Sequence, residues 1–320
     1  MVTLVDIEQA RERLRGRIVR TPLVPFPHEL LWLKAENLQP TGAFKLRGAF
    51  NKILSLTPDE RARGVVAHSS GNHAQAVAYA AQVLGVRAVI VMPQNAPPVK
   101  LAMTRSWGAE IVLVGNGSDE RAAKSQELAA QHGYTLVPPY ADLAIIAGAG
   151  TIGLEILEEI PDVEVVTVPV SGGGLLAGVA AALKLARPEV RVIGVEPELA
   201  ADAYESWRTG QPVTLSAEEV SRTLADGLRV QHVGALNWEH MRAFVDDIVT
   251  VSEEEIQEAM RQIAFRGRLV AEPSGAVAIA APLFHRSSLG GGERTVAILS
   301  GGNIEPALLT TILRGAAIHS

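Results

Sequence analysis

Short apolar runs alternate along this chain with stretches whose apolar residues return every three or four positions. The runs at 31–35, 65–67, 88–92, 111–114, 165–168, 192–195, 248–251 and 296–299 read as buried strands. The stretches 75–83, 119–131 and 175–185 read as helices. Ser252 followed by Glu255 forms a capping box that opens a further helix. Strand and helix alternate over nearly the whole length, which predicts α/β architecture with mostly parallel sheets. No repeat or long linker separates two domains, so if there are two, one is expected to be inserted within the other. The expected division is a large unit of 1–52 and 139–320 with 53–138 inserted.

One apolar run needs arbitration. Residues 165–183 carry no charge, and Gly174 and Gly178 form a GxxxG. Pro169, Ser171 and three consecutive glycines interrupt the run, so it reads as buried strand, glycine loop and buried helix rather than a membrane span.

Composition narrows the function classes. The 320 residues include 20% charged residues, the mean hydropathy is +0.18 and the net charge is −6. A compact fold is therefore expected, with neither nucleic acid nor membrane as a partner. There is no cysteine, which excludes disulfides, thiolate zinc sites and a thiol nucleophile. The charged, helical N-terminus reads as no signal peptide, which suggests a cytoplasmic protein.

Four segments carry candidate chemistry. In the first, the strand at 31–35 leads through Gln39-Pro40-Thr41-Gly42 into a helix with Phe44, Lys45 and Arg47 in its first turn. A lysine there opposes the helix dipole. Neutralising the amine in a Schiff base removes the conflict, whereas a solvated surface lysine is the plain alternative. The second is His68-Ser69-Ser70-Gly71-Asn72-His73, between a strand and a helix. Its hydroxyls and N–H groups suit a carboxylate, although it also reads as an ordinary N-cap. The third, Ser171-Gly172-Gly173-Gly174-Leu175, again joins strand to helix and suits a phosphate. Gly172, Gly174 and Ala177, with Glu196 on the next strand, also fit a dinucleotide fingerprint. The fourth, Ser300-Gly301-Gly302-Asn303, places a hydroxyl at a strand end or is simply a turn.

Together these segments resemble the fold-type II pyridoxal-phosphate enzymes, in the threonine/serine dehydratase and serine racemase branch. The resemblance spans the chain through KAENLQPTGAFKLRGA, SSGNHAQAVAYAA, IIAGAGTIGLEI, SGGGLLAG, VEPE, TLADG, EPSGA and LSGGN. It implies two open-sheet α/β domains of the tryptophan synthase β-like architecture. Lys45 would hold pyridoxal 5′-phosphate as a Schiff base and, once freed, move the Cα proton. Phe44 would pack near the ring, Asn72 would contact its 3′-oxygen, and Ser300 would bond its nitrogen. Ser171, Gly172, Gly173, Gly174 and Leu175 would cradle the phosphate. Ser69, Ser70, Gly71, Asn72 and His73 would receive the substrate carboxylate, with Ser70 on the face opposite Lys45. Glu196, the carbonyl of Ala200, and Asp202 match the branch's cation site, whose oxygens suit Mg2+ or Ca2+.

The implied activity is dehydration of L-threonine and L-serine to a 2-oxo acid and ammonia, by a homodimer. Alternatives are an amino-acid racemase, a 3-hydroxyaspartate dehydratase, and a non-catalytic carrier of the cofactor. Some residues depart from the branch. Ser171 stands where many relatives have glycine, and Pro138 and Ala149 replace an expected histidine and glutamine. Tyr140-Ala141-Asp142 replaces phenylalanine-aspartate-aspartate. The chain stops at Ser320, so a C-terminal effector domain and isoleucine feedback are not expected.

Overall fold

Ten strands, among the described residues, form two sheets: β1 (Leu23–Pro25), β2 (Leu31–Ala35), β3 (Val65–His68), β4 (Ala88–Pro93), β5 (Glu110–Val114), β6 (Thr135–Leu136), β7 (Val165–Pro169), β8 (Arg191–Pro197), β9 (Asp247–Val251) and β10 (Thr295–Leu299). The structure is a computed structural model that describes residues 1–27, 29–69, 71–96, 98–115, 118–290 and 294–315. The larger sheet has the order β1-β2-β10-β7-β8-β9 and the smaller the order β5-β4-β3-β6. Every pairing is parallel except β1 with β2.

All eight strands read from the apolar runs are present, and the central ones are buried on both faces, as parallel pairing favours, but β5, read as buried, lies at a sheet edge with Glu110 and Leu113 exposed. In the larger sheet, Val165, Ile193 and Ala297 pack into one core cluster, while their neighbours Val166, Val192 and Val296 pack into the cluster on the other face. That is the two-residue period of a strand covered by helices on both sides. No apolar run or alternation marks β1 and β6. They are only three and two residues long, too short to show a period, and exist by pairing with β2 and β3.

The run at 165–183 is β7, a glycine loop and the helix Gly174–Ala186. Its GxxxG serves close packing. A Cβ on Gly178 would run into the Ile146 carbonyl and the Gly150 nitrogen of the helix Leu143–Glu159. The helix Lys45–Ser55 buries Leu46, Ala49, Phe50 and Ile53 in the same cluster as Val65, Ala67, Ile90 and Met92 of the smaller sheet. The apolar spacing anticipated that face.

Arg47, on the same helix, was not anticipated as buried, yet it is fully enclosed. It donates to both oxygens of Glu36 (2.8 and 2.7 Å) and both of Glu155 (2.7 and 2.8 Å). Buried Lys34 pairs with Glu155 at 2.7 Å. Two cations and two anions cancel, as enclosure of charge requires. The cluster ties the lysine helix to β2 and to the helix Leu143–Glu159.

Candidate active site

Lys45 is the first residue of its helix, and Phe44 caps it without a side-chain hydrogen bond. The Phe44 N–H donates to the Ser300 carbonyl at 3.0 Å, and Ala43 bridges Gly301. The lysine turn is thereby stitched to the end of β10. Gly42 makes the turn at φ +72°, where a Cβ would also strike the Asn303 side chain.

Lys45 is half-buried as a residue, and its enclosed amine donates to the Pro139 carbonyl at 2.7 Å and lies 5.1 Å from the centre of the Phe44 ring. Burial, which disfavours the cation, lowers its pKa to about 8. Phe44, Lys45, His73, Ala149, Gly174 and Leu175 line a single cleft, together with Pro139. Of the departures at 138–149, Ala149 therefore borders the cleft.

Across this cleft lies the glycine loop. Gly173 caps the helix Gly174–Ala186 at φ +87°, with no side chain satisfying the helix start. No acceptor serves the backbone N–H groups of residues 172–176 among the described residues. A Cβ on Gly172 would overlap the Tyr140 ring, and one on Gly174 would press on the Tyr140 backbone. The Asn237 amide and the Gly234 N–H both donate to the Gly172 carbonyl and hold the loop. Open N–H donors at a helix start, facing a buried amine of lowered pKa, fit a phosphorylated carbonyl compound.

In the His68–His73 segment, the Gly71 N–H donates to the Ser69 hydroxyl at 3.2 Å. His73 is buried, and its ring Nε2 meets the Val137 carbonyl at 2.8 Å. Burial, then the charge of Lys45, pushes its pKa down to about 3, so the ring is neutral and anchors the segment. Ser70, the expected second catalytic residue, lies outside the described residues.

Asn72 opens the helix Asn72–Leu84. Its Oδ1 accepts from Asn303 at 2.8 Å, and its Nδ2 donates to Glu272 at 2.6 Å. Glu272 was missed as a site residue. Its only signal was its place in EPSGA, before the proline that starts the helix Pro273–Phe284.

Glu196 and Asp202 stand apart from the cleft, near Tyr140. Both Asp202 oxygens are buried without a hydrogen-bond partner. Glu196 is buried too and accepts the Tyr204 N–H at 2.8 Å. Burial holds both carboxyls above their ordinary range, and for Glu196 the Asp202 charge adds to it. The Tyr140 hydroxyl is raised by burial and by Asp202. No group of three or more His, Cys, Asp or Glu gathers to hold a metal among the described residues. An unpartnered buried carboxylate beside a second one nevertheless suits a hard cation, with the nearby Ala200 carbonyl as a further oxygen.

A family model described as pyridoxal-phosphate dependent enzyme matches residues 14–301. The L-threonine ammonia-lyase of Thermotoga maritima is 43% identical over 100% of this chain and 80% of its own length. The catabolic L-threonine dehydratase of Escherichia coli is 43% identical over 97% of this chain and 96% of its own. The structure of maize serine racemase superposes with a TM-score of 0.92 at 35% identity, covering 98% of this chain and 97% of that one.

Proposed function

The chain belongs to the pyridoxal-phosphate dependent enzyme family, and on that premise we propose that it is a threonine/serine ammonia-lyase. It takes L-threonine or L-serine to a 2-oxo acid and ammonia by β-elimination. The observation that carries this reading is the buried Lys45 amine facing the open N–H groups of residues 172–176, in a chain 43% identical to two proteins named for threonine deamination. The family assignment also answers the dinucleotide fingerprint, which left Lys45 and Ser300 without a role.

Pyridoxal 5′-phosphate, when bound, supplies the electron sink that makes the substrate Cα proton removable. Lys45 holds the cofactor, and its freed amine takes the Cα proton at Nζ. Residues 172–175, with Ser171, hold the phosphate, Phe44 covers the ring, and Ser300 bonds the ring nitrogen. Ser69, Gly71, Asn72 and His73 place the substrate carboxylate. For His73 this falls to the backbone, because the ring is committed to Val137. The β-hydroxyl leaves with a proton as water, and the resulting enamine hydrolyses to 2-oxo acid and ammonia. The inserted unit at 53–138 closes over the substrate.

Glu196, Ala200 and Asp202 hold Mg2+ or Ca2+ in this reading, supported by the unpartnered Asp202 oxygens. The enzyme is a cytoplasmic homodimer. No helix among the described residues is long and apolar enough to cross a membrane. A second reading, amino-acid racemase, is favoured by the likeness to maize serine racemase and needs a proton donor such as Ser70 on the other face. Purified protein given L-threonine, L-serine and 3-hydroxyaspartate, with 2-oxo acid and enantiomers both measured, separates these activities. Enantiomer exchange without 2-oxo acid release from any of the three would overturn the lyase reading.

A further inference from the structure

We propose that Glu272 is a positioning residue that fixes which end of the Asn72 amide faces the cofactor and substrate. This rests on the reading above. It starts from an unusual placement. Glu272 occupies the N-cap of the helix Pro273–Phe284, yet its side chain makes no cap hydrogen bond. The carboxyl turns instead to the Asn72 amide and accepts its Nδ2–H at 2.6 Å while buried. Its backbone is held as well, because the Glu272 N–H donates to the Gly301 carbonyl at 3.1 Å. A Cβ on Gly301 would collide with Glu272 Oε1, so glycine there leaves room for the carboxyl.

The chain of bonds has a direction. The Thr41 carbonyl is acceptor-only, so Asn303 must present its NH2 group there, which it does at 2.7 Å. The same Nδ2 donates to Asn72 Oδ1 at 2.8 Å. Glu272, as the acceptor at the other end, completes the assignment. Each Asn72 terminus is then specified, and the second Nδ2 hydrogen stays free for an oxygen of a ligand. Without an acceptor at Glu272, the amide loses the bond that holds its donor end in place.

Burial, then the Asp226 charge, pushes the Glu272 pKa up to about 8, against the Asn72 side chain, the Lys100 charge and the Asn303 backbone N–H. A protonated carboxyl keeps an acceptor oxygen, so the Asn72 bond does not depend on the charge. Chemistry thus separates two substitutions. Glu272→Met removes the acceptor at similar volume. Glu272→Gln keeps an acceptor oxygen and mimics the protonated acid.

The experiment titrates cofactor-stripped protein with pyridoxal 5′-phosphate by absorption, and measures kcat and KM for L-threonine on the reloaded enzyme. Glu272→Met weakens cofactor binding about tenfold and lowers kcat/KM by more, as loss of a buried acceptor predicts. Glu272→Gln stays within about threefold of wild type in both. On an Asn72→Ala background, Glu272→Met changes neither by more than about twofold, because its partner is already gone. If Glu272→Met does not fold, Glu272→Asp, which withdraws the acceptor by one methylene, must weaken binding in the same direction. Wild-type behaviour of a folded Glu272→Met, or an undiminished effect on the Asn72→Ala background, overturns the inference. A wild-type protein that binds no cofactor and releases no 2-oxo acid overturns the underlying reading instead.

Discussion

Lys45 Nζ donates to the backbone carbonyl of Pro139 at 2.7 Å, joining residues 94 apart in sequence. Pro139 sits in the segment that follows β6, so this bond sets the amine at the seam between the smaller sheet and the rest of the chain. The carbonyl orients the amine without neutralising it, and burial then favours the uncharged form.

Replacing Lys45 with alanine removes the amine that faces the glycine loop. The visible absorption of the lysine-bound cofactor disappears, and 2-oxo acid release from L-threonine falls by at least about a thousandfold. Spectra and coupled assays on the same preparation check this. Near-wild-type turnover would sink the assignment of Lys45.

The lowered Lys45 pKa makes capture of the cofactor pH-dependent. Only the neutral amine attacks a carbonyl. At pH 7.5 a pKa of about 8 leaves roughly a quarter of the amine neutral, against about one in a thousand at the ordinary lysine value. The capture rate of cofactor-stripped protein therefore rises with pH through about 8 and levels off above it. His73, with its pKa near 3, stays neutral over that range and adds no second step. Stopped-flow absorption over pH 6.5 to about 9.5 measures the profile. A rate still climbing tenfold per unit at the upper end contradicts the buried amine.

Arg47→Met breaks a buried charge cluster and leaves Glu36 facing Glu155 with only Lys34 to offset them. Removing one partner from such a cluster costs about 3–5 kcal/mol. Urea denaturation of the cofactor-stripped protein reads the loss. A loss below about 1 kcal/mol would mean that the cluster relaxes or takes in water.

Chelation tests the Glu196 and Asp202 pair. A cation bound there stabilises the folded protein by linkage. Exhaustive chelation lowers the melting temperature by several degrees, and Mg2+ or Ca2+ restores it. Asp202→Asn removes one of two repelling buried carboxylates and abolishes this metal response. Identical melting of wild type with and without chelator would make the pair an acidic corner only.

The sequence alone determined eight of the ten strands among the described residues, the mostly parallel pairing and the family, because each is written locally. A strand buried on both faces is an apolar run. A strand, glycines and a helix start follow one another in the chain, so Ser171 to Leu175 were legible as a glycine loop and a candidate anion site. Lys45 was legible as a candidate because its place at a helix start conflicts with the dipole. Tertiary structure alone decided how charge is buried. Arg47 was placed in a helix's first turn with nothing to mark it as buried, and Glu36 and Glu155 close on it. Glu272 had no reading of its own in the sequence, and Asn72 reaches it across 200 residues. The strand edges β1 and β6 depended on partners in the same way. Apolar burial leaves a period in the chain because each segment's contribution is additive. A buried charge leaves none, because its cost is cancelled by a partner whose position only the folded chain defines.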